Sequence, residues 1–174
     1  MVRNLNFVKK HEAIKLLILA VILVSASFVT WSGLKIALNT ENPILVVVSG
    51  SMVPTLNVGD LIVIRGASPE QITAGSIIVF HSPIEYDTLI VHRVVDKVNY
   101  GNEFGFKTKG DFNYHEDNWI VKSKDILGTY VGRIPYAGIV IIKLKQPAGM
   151  SLLIFLILVM IIFEFFEEKR KKKI

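Results

Sequence analysis

The stretch Ser49-Gly50-Ser51 separates two apolar runs, "ILVVV" and "DLIVIR". Pro54 follows closely and favours a tight loop. A serine on such a loop can act as a nucleophile when a neighbouring base accepts its proton. Backbone amides of the loop can also stabilise the oxyanion that forms when a carbonyl is attacked. Because Ser-Gly-Ser is common in structural turns, an ordinary turn is the alternative at this point.

His92 is the histidine best placed to act as that base. The run "TLIVHRVV" puts it inside a predicted strand, on the same face as Ile90 and Val94. A histidine general base works near neutral pH. A hydrogen-bonded core histidine is the alternative that the sequence leaves open. His11 lies in a basic segment before the first apolar run, and His81 precedes a Ser-Pro turn.

The stretch "KGDFNYHED" supplies carboxylates that could orient an imidazole. Asp111 follows a glycine and fits a turn in which the carboxylate binds backbone amides. Asp117 lies six residues later, beyond that turn. A metal site built from His115, Glu116 and Asp117 is the weaker alternative, because adjacent residues of a strand point to opposite faces. We therefore expect no metal and no cofactor.

Five blocks of the chain together resemble the type I signal peptidases. They are "SGSMVPTL", "GDLIVI", "VHRVV", "KGDFNYHED" and "GRIPYAG", which follow one another in the family's order between Val47 and Gly138. The histidine in the third block is similar to the serine–histidine branch of archaea and the endoplasmic reticulum, where bacterial relatives have a lysine. The resemblance implies a β catalytic domain and a membrane-bound serine endopeptidase that removes signal peptides after small residues of the A-x-A kind.

The resemblance also implies roles for individual residues. Ser51 matches the nucleophile and His92 the base. Asp117 matches the acid usually taken as partner of the base, and Asp111 matches a second acidic position whose role, chemical or structural, is left open. The Ser51 amide, with the Ser49 hydroxyl, corresponds to the oxyanion hole.

Two long apolar segments must position this chemistry at a membrane. Leu16–Leu34 contains 19 residues without a charge, and Ala148–Phe163 contains 16; about 20 helical residues cross a bilayer. A cleavable signal peptide is the alternative for the first segment, and a buried amphipathic helix for the second. We expect two membrane helices and five parts: a basic N-terminus over 1–15, an anchor over 16–38, an extracytoplasmic catalytic domain over 39–146, a second membrane helix over 147–166 and a basic tail over 167–174.

The charge distribution predicts the topology. The net charge is +5, with four basic residues and one acid in 1–15 and five basic residues and three acids in 164–174. By the positive-inside rule, both termini lie in the cytoplasm of a multi-pass protein of the cell membrane. A nucleic-acid partner is not expected, because the excess charge flanks membrane segments. The expected partners are preprotein signal peptides and the lipid bilayer, with a secretion translocon or accessory membrane subunits left open.

The segment between the anchors reads as a mainly β, antiparallel domain. Short runs rich in Val, Ile, Tyr and Phe, among them "WIVKSKDIL", are each predicted to be one strand. They alternate with turn signals such as Ala74-Gly75 and Tyr100-Gly101-Asn102. No segment of 12 residues has a helical period there.

Two other functions stay open. One is a membrane-tethered β module that binds extended peptides without cutting them, and the other is a peptidase dedicated to a single surface protein.

Overall fold

A computed structural model describes residues 2–101 and 103–171. In these residues seven strands lie between a long N-terminal helix and two C-terminal helices. In chain order the elements are α1 (Val2–Leu38), β1 (Ile44–Val46), β2 (Leu61–Arg65), β3 (Ile77–His81), β4 (Leu89–Tyr100), β5 (Glu103–Lys109), β6 (Ile120–Lys122), β7 (Ile126–Ile134), α2 (Ile139–Lys145) and α3 (Pro147–Lys171). Two short 3₁₀ helices, Pro69–Gln71 and Ser123–Asp125, join strands.

The seven strands form one sheet in the order β1-β2-β7-β3-β4-β5-β6. Every pairing in it is antiparallel. The sequence prediction of a mainly β, antiparallel domain is therefore confirmed. The long β4 lies next to the central β3 and carries His92 opposite Ile78.

The core lies on both sides of β3. Four consecutive β3 residues are buried, which is typical of a strand covered on both faces. One apolar cluster includes Met52 and Leu56 from the segment after β1, with Ile77 and Val79 of β3. The other cluster includes Ile78, Phe80, Val94, Phe106 and Val121. The polar side chains of His92 and Thr108 are buried as well, and they must therefore be hydrogen-bonded.

Most of the predicted turns and strands agree with the structure. Gly59, Gly75 and Gly101 have φ of 92°, 92° and 67°, a left-handed conformation that glycine adopts without strain. The run "WIVKSKDIL", read as one strand, was a wrong prediction. The 3₁₀ turn at Ser123–Asp125 divides it, and the Ser123 hydroxyl donates to the Phe104 carbonyl at 2.8 Å. Its last residues belong to β7.

At both ends of the chain, the structure contains more helix than the sequence predicts. Within α1, Leu17–Leu38 is long and apolar enough to cross a membrane, and the helix itself begins earlier, at Val2. The seven-residue α2 was not foreseen from the sequence, because it is too short to show a helical period. α2 and the apolar part of α3 pass the same test only as a bent pair, with an angle of 84° between them. Residues 172–174 of the predicted basic tail lie outside the described residues.

Candidate active site

His92 and Asp117 form a buried, hydrogen-bonded pair. The distance from His92 Nδ1 to Asp117 Oδ2 is 2.6 Å, and both side chains are more than nine-tenths buried. The alternation of β4 turns His92 towards the core, as it does the buried Val94. The Phe80 ring meets the imidazole edge to face, with 6.4 Å between ring centroids. An imidazole held at Nδ1 by a carboxylate presents Nε2 as its free nitrogen, the arrangement of a general base.

Thr108 is a third member of this group that the sequence reading missed. Its hydroxyl donates to Asp117 Oδ2 at 2.6 Å. Its carbonyl accepts the Asp117 amide at 2.9 Å. Thr108 is fully buried and lies opposite Val94 in the sheet. A polar residue at an inward position of β5 was the available signal, but its partner depends on the pairing of β4 with β5.

Ser51 lies in a turn between β1 and β2. The Val53 amide donates to the Gly50 carbonyl at 3.1 Å, and the Leu56 amide to the Met52 carbonyl at 2.8 Å. Met52 and Leu56 are fully buried, so their side chains fasten the turn to the core on one side. The peptide bond before Pro54 is cis. The two backbone hydrogen bonds make the loop a compact turn, as its glycine and proline predict.

A second loop holds Ser51 from the other side. The Phe112 amide donates to the Ser51 carbonyl at 2.9 Å. The same carbonyl lies 2.6 Å from the point where a Gly110 Cβ would be, so a larger residue at position 110 would collide with it. This contact joins the serine loop to the loop of residues 110–118, which carries Asp117.

The hydroxyl of Ser51 is directed towards Ser49. The two Oγ atoms are 3.4 Å apart. Within residues 2–101 and 103–171, no hydrogen bond joins the Ser51 hydroxyl to the His92 ring. The structure therefore brings His92 and Asp117 together and places Ser51 and Ser49 together, and these two pairs are separate hydrogen-bonded units.

Asp111 is engaged by an arginine and not by the imidazole. Arg93 donates from Nε to Asp111 Oδ1 at 2.8 Å and from Nη2 to Oδ2 at 2.7 Å. These hydrogen bonds hold the pKa of Asp111 below its usual range against the opposing effect of burial, with help from the Thr55 hydroxyl and from the charges of Arg93 and His92. In return, the carboxylate raises the pKa of Arg93. A bidentate pair of this kind fixes the geometry of both partners.

Arg93 connects the two loops that carry the predicted site residues. Besides Asp111, it reaches the Gly75 carbonyl at 3.0 Å and the Thr55 hydroxyl at 3.4 Å. Thr55 belongs to the serine turn. Arg93 belongs to the block "VHRVV" of the sequence analysis, but no function was predicted for it, because its partners come from distant parts of the chain.

A second buried carboxylate, Asp60, fastens the end of the serine loop. It accepts hydrogen bonds from the Asn57 amide at 2.9 Å and the Tyr136 amide at 3.1 Å, and it pairs with Arg133. Burial alone would raise the pKa of Asp60, but the two amides and Arg133 hold it below its usual range. Asp60 thereby links this loop to the segment between β7 and α2.

The three residues predicted as an alternative metal site do not come together. His115 and Glu116 are exposed, whereas Asp117 is turned to His92. In the described part of the chain, no group of three or more His, Cys, Asp or Glu side chains could hold a metal ion. His81 ends β3, where its ring stacks on Tyr86 at 4.2 Å and Nδ1 meets the Tyr86 carbonyl at 2.7 Å.

Comparison with known proteins places this chain in a family. The family model "Signal peptidase, peptidase S26" matches residues 11–103. The SEC11 catalytic subunit of the signal peptidase complex of Pyricularia oryzae is 37% identical over 149 residues, which cover 82% of this chain and 86% of the relative. The chain belongs to the S26 signal peptidase family. SEC11C of the human signal peptidase complex is 38% identical over 133 residues, or 71% of this chain and 68% of the relative.

The family model covers only part of the candidate site. The matched range includes Ser51 and His92 but ends before Asp111 and Asp117. For the two carboxylates the contacts are therefore the main guide. They differ clearly, since Asp117 binds the imidazole and Asp111 binds Arg93.

Proposed function

We propose that this protein is a membrane-bound serine endopeptidase that removes signal peptides from secreted preproteins after small residues. The observation that carries the proposal is the buried 2.6 Å contact between His92 and Asp117 in a chain of the signal peptidase family. In a chain of this family, a carboxylate that orients a buried imidazole favours catalysis over a peptide-binding module that does not cut. The family's A-x-A specificity supports a scissile bond that follows a small side chain.

In this mechanism, Ser51 is the nucleophile and His92 the general base. To react, the Ser51 hydroxyl leaves its contact with Ser49 and approaches His92 Nε2. The imidazole takes the hydroxyl proton as Oγ bonds to the carbonyl carbon, and it returns that proton to the amine as the C–N bond breaks. Water then hydrolyses the acyl-enzyme with His92 again as base. The Ser51 amide, with the Ser49 hydroxyl, stabilises the oxyanion.

The two acids have different roles in this proposal. Asp117 fixes the orientation of the His92 ring and stabilises the imidazolium that forms. Asp111 is a positioning residue. Through Arg93 it braces the serine turn, which Arg93 also reaches at the Thr55 hydroxyl. No metal or cofactor takes part.

The membrane arrangement has two spans. The first is Leu17–Leu38 of α1. The second is α3, whose apolar part, Pro147–Phe163, extends about 26 Å along the helix axis, close to the roughly 30 Å of a hydrocarbon core. Exposed apolar side chains over 152–163 support it. Both termini then lie in the cytoplasm of a multi-pass membrane protein, with the sheet on the other side.

The relatives' names also bear on partners. They are catalytic subunits of a signal peptidase complex, which supports the presence of accessory membrane subunits beside this chain. Signal peptides are the substrates, and the bilayer is the common surface of enzyme and substrate. Sharing one membrane reduces the search for the scissile bond and orients it.

Replacement of Ser51 by alanine is the direct test. Without the hydroxyl no acyl-enzyme can form, and we expect cleavage of a preprotein in liposomes to fall by about 10⁴-fold or more. Mass spectrometry of the product identifies the cut. Ser68→Ala is the matched control, since Ser68 lies before the 3₁₀ turn of Pro69–Gln71, and it should cleave like the parent protein. Undiminished cleavage by Ser51→Ala would refute the assignment.

A further inference from the structure

α2 leaves much of its apolar surface exposed. None of its residues is buried. Val140 is 64% exposed, and Ile139, Ile141 and Leu144 are each 40% exposed. Lys143 and Lys145 occupy its last turn. A seven-residue helix with this composition would not remain exposed to water on a soluble domain, so its apolar side requires an apolar neighbour.

The corner between α2 and α3 gives the direction of α2. Gln146 is extended, with φ −72° and ψ 150°, because the residue before a proline avoids the helical conformation. Pro147 then begins α3, as proline favours the first helical turn. Gly149 packs against the carbonyl of Lys143 and lies too close to Leu144 for a side chain. The result is a bend of 84°, which makes α2 nearly perpendicular to α3.

We propose that α2 lies flat in the surface of the bilayer, on the same side as the sheet. This inference rests on the proposed span by α3: when α3 crosses the membrane, a helix perpendicular to it at its non-cytoplasmic end runs parallel to the lipid surface. The apolar side chains of α2 enter the boundary between headgroups and acyl chains, and Lys143 and Lys145 reach lipid phosphates. Tyr136, 57% exposed just before α2, suits the headgroup level.

The start of α2 is tightly joined to the serine loop. The Gly138 amide donates to the Gly59 carbonyl at 2.8 Å. A Cβ on Gly59 would lie 2.5 Å from Ile139, and one on Gly138 would lie 2.5 Å from Val46. Val46 ends β1, five residues before Ser51. A helix in the lipid surface would therefore set the height of Ser51 above the membrane, where a signal peptide leaves the bilayer.

Depth measurements on single-cysteine variants test the position of α2. The chain has no cysteine, so one fluorophore can be attached at Val140→Cys in α2, Ile157→Cys in α3 or Lys124→Cys at an exposed site between β6 and β7. The full-length protein is reconstituted in vesicles of phosphatidylcholine with phosphatidylglycerol. Quenching is compared for lipids with a spin label near the headgroup and for lipids labelled near the chain end.

We expect Val140→Cys to be quenched more strongly by the shallow label, Ile157→Cys more strongly by the deep label, and Lys124→Cys by neither. Quenching at position 140 equal to that at 124 would overturn the surface position of α2. Quenching there by the deep label would also overturn it, because α2 would then be part of the span. Stronger quenching of position 157 by the shallow label would refute the span by α3. Stronger quenching of position 140 by the shallow label would still support a surface position for α2.

A double variant tests the effect on cleavage. Val140→Asn with Leu144→Asn weakens insertion without touching the site, and we expect about a threefold or greater loss of preprotein cleavage in vesicles. Cleavage of a short soluble peptide in detergent should be unchanged. Equal cleavage by the double variant and the parent in vesicles would refute the inference that α2 sets the height of Ser51 above the membrane. The protease assignment would still stand in that case, provided that Ser51→Ala abolishes cleavage.

Discussion

The two halves of the candidate site are held in different ways. His92 and Asp117 are more than nine-tenths buried, lie 2.6 Å apart and share Thr108 as a further partner. Ser51 lies on a turn, and among the described residues its hydroxyl contacts only the Ser49 hydroxyl, at 3.4 Å and in an exposed position. In the proposed mechanism, the half that accepts the proton is therefore organised before substrate arrives, whereas the Ser51 side chain still has to change its torsion.

This difference suggests how substrate completes the site. Buried hydrogen bonds to a charged group are strong and expensive to break, so the His92 ring stays oriented. A serine side chain changes its rotamer at little cost. In the proposed mechanism, a peptide seated against the serine turn displaces the hydroxyl from Ser49 towards the imidazole. Variants of the buried half should therefore alter the rate of catalysis much more than the affinity for peptide.

The largest effect is expected for His92→Lys. The lysine side chain is longer and has a higher ordinary pKa, and it meets Asp117 in a pocket shaped for a planar ring. We expect at least about a 10⁴-fold loss of preprotein cleavage, with peptide affinity kept within a few-fold. Single-turnover kinetics in vesicles separate the two quantities. Efficient cleavage by the lysine variant would show that the orientation of the base by Asp117 is dispensable.

Asp117→Asn should come next. The amide is nearly the same size, but it cannot stabilise the imidazolium and favours the wrong ring tautomer. We expect about a 10³- to 10⁴-fold fall in kcat and little change in KM. Asp111→Asn serves as the matched control, because it makes the same substitution six residues away. Larger damage from the Asp111 variant than from the Asp117 variant would reverse the roles given to the two acids.

Thr108→Val tests the support of Asp117 more gently. Valine keeps the shape but loses the hydroxyl that donates to Asp117 Oδ2. Loss of one hydrogen bond to a charged group corresponds to about a tenfold decrease in kcat. Thr108→Ser should recover most of the activity. If serine and valine behave alike, the residue acts through packing and not through its hydroxyl.

The smallest effect on activity is expected for Asp111→Asn, which acts chiefly on stability. The lowered pKa of Asp111 means that its ion pair stabilises the fold fully above about pH 4, and that this contribution is lost as the pH falls below that value. Because Arg93 is 36% exposed, solvent screening limits it to about 1 kcal/mol.

Thermal unfolding of the parent and the Asp111→Asn variant between pH 3 and 7 measures this contribution. The two melting curves should differ most at neutral pH and converge at low pH. A difference that grows on acidification would contradict the ion pair as the source. Activity should fall by only about threefold to tenfold, since Arg93 keeps its contact with the Gly75 carbonyl.

The sequence predicted the local features of this fold well and the remote ones poorly. The strand around His92, the glycine turns and the apolar α1 depend on neighbours within a few residues, and those patterns are visible in the chain. The short helix α2 and the division of "WIVKSKDIL" were missed. In both places the conformation of a few residues depends on contacts with residues far away in the sequence. One example is the hydrogen bond that the Ser123 hydroxyl donates to the Phe104 carbonyl.

By itself, the sequence determined the class of chemistry: a serine on a tight turn, a histidine in a strand and a pair of acids, ordered as in the signal peptidases. Only the tertiary structure decided which acid meets which base. Asp111 and Asp117 are both aspartates of the block "KGDFNYHED", six residues apart, and neither their residue type nor their spacing assigns either of them a partner. The pairing of β4 with β5 brings Asp111 to Arg93 and Asp117 to His92. Neighbouring residues of a strand face opposite sides of the sheet, so His92 and Arg93 must select different carboxylates.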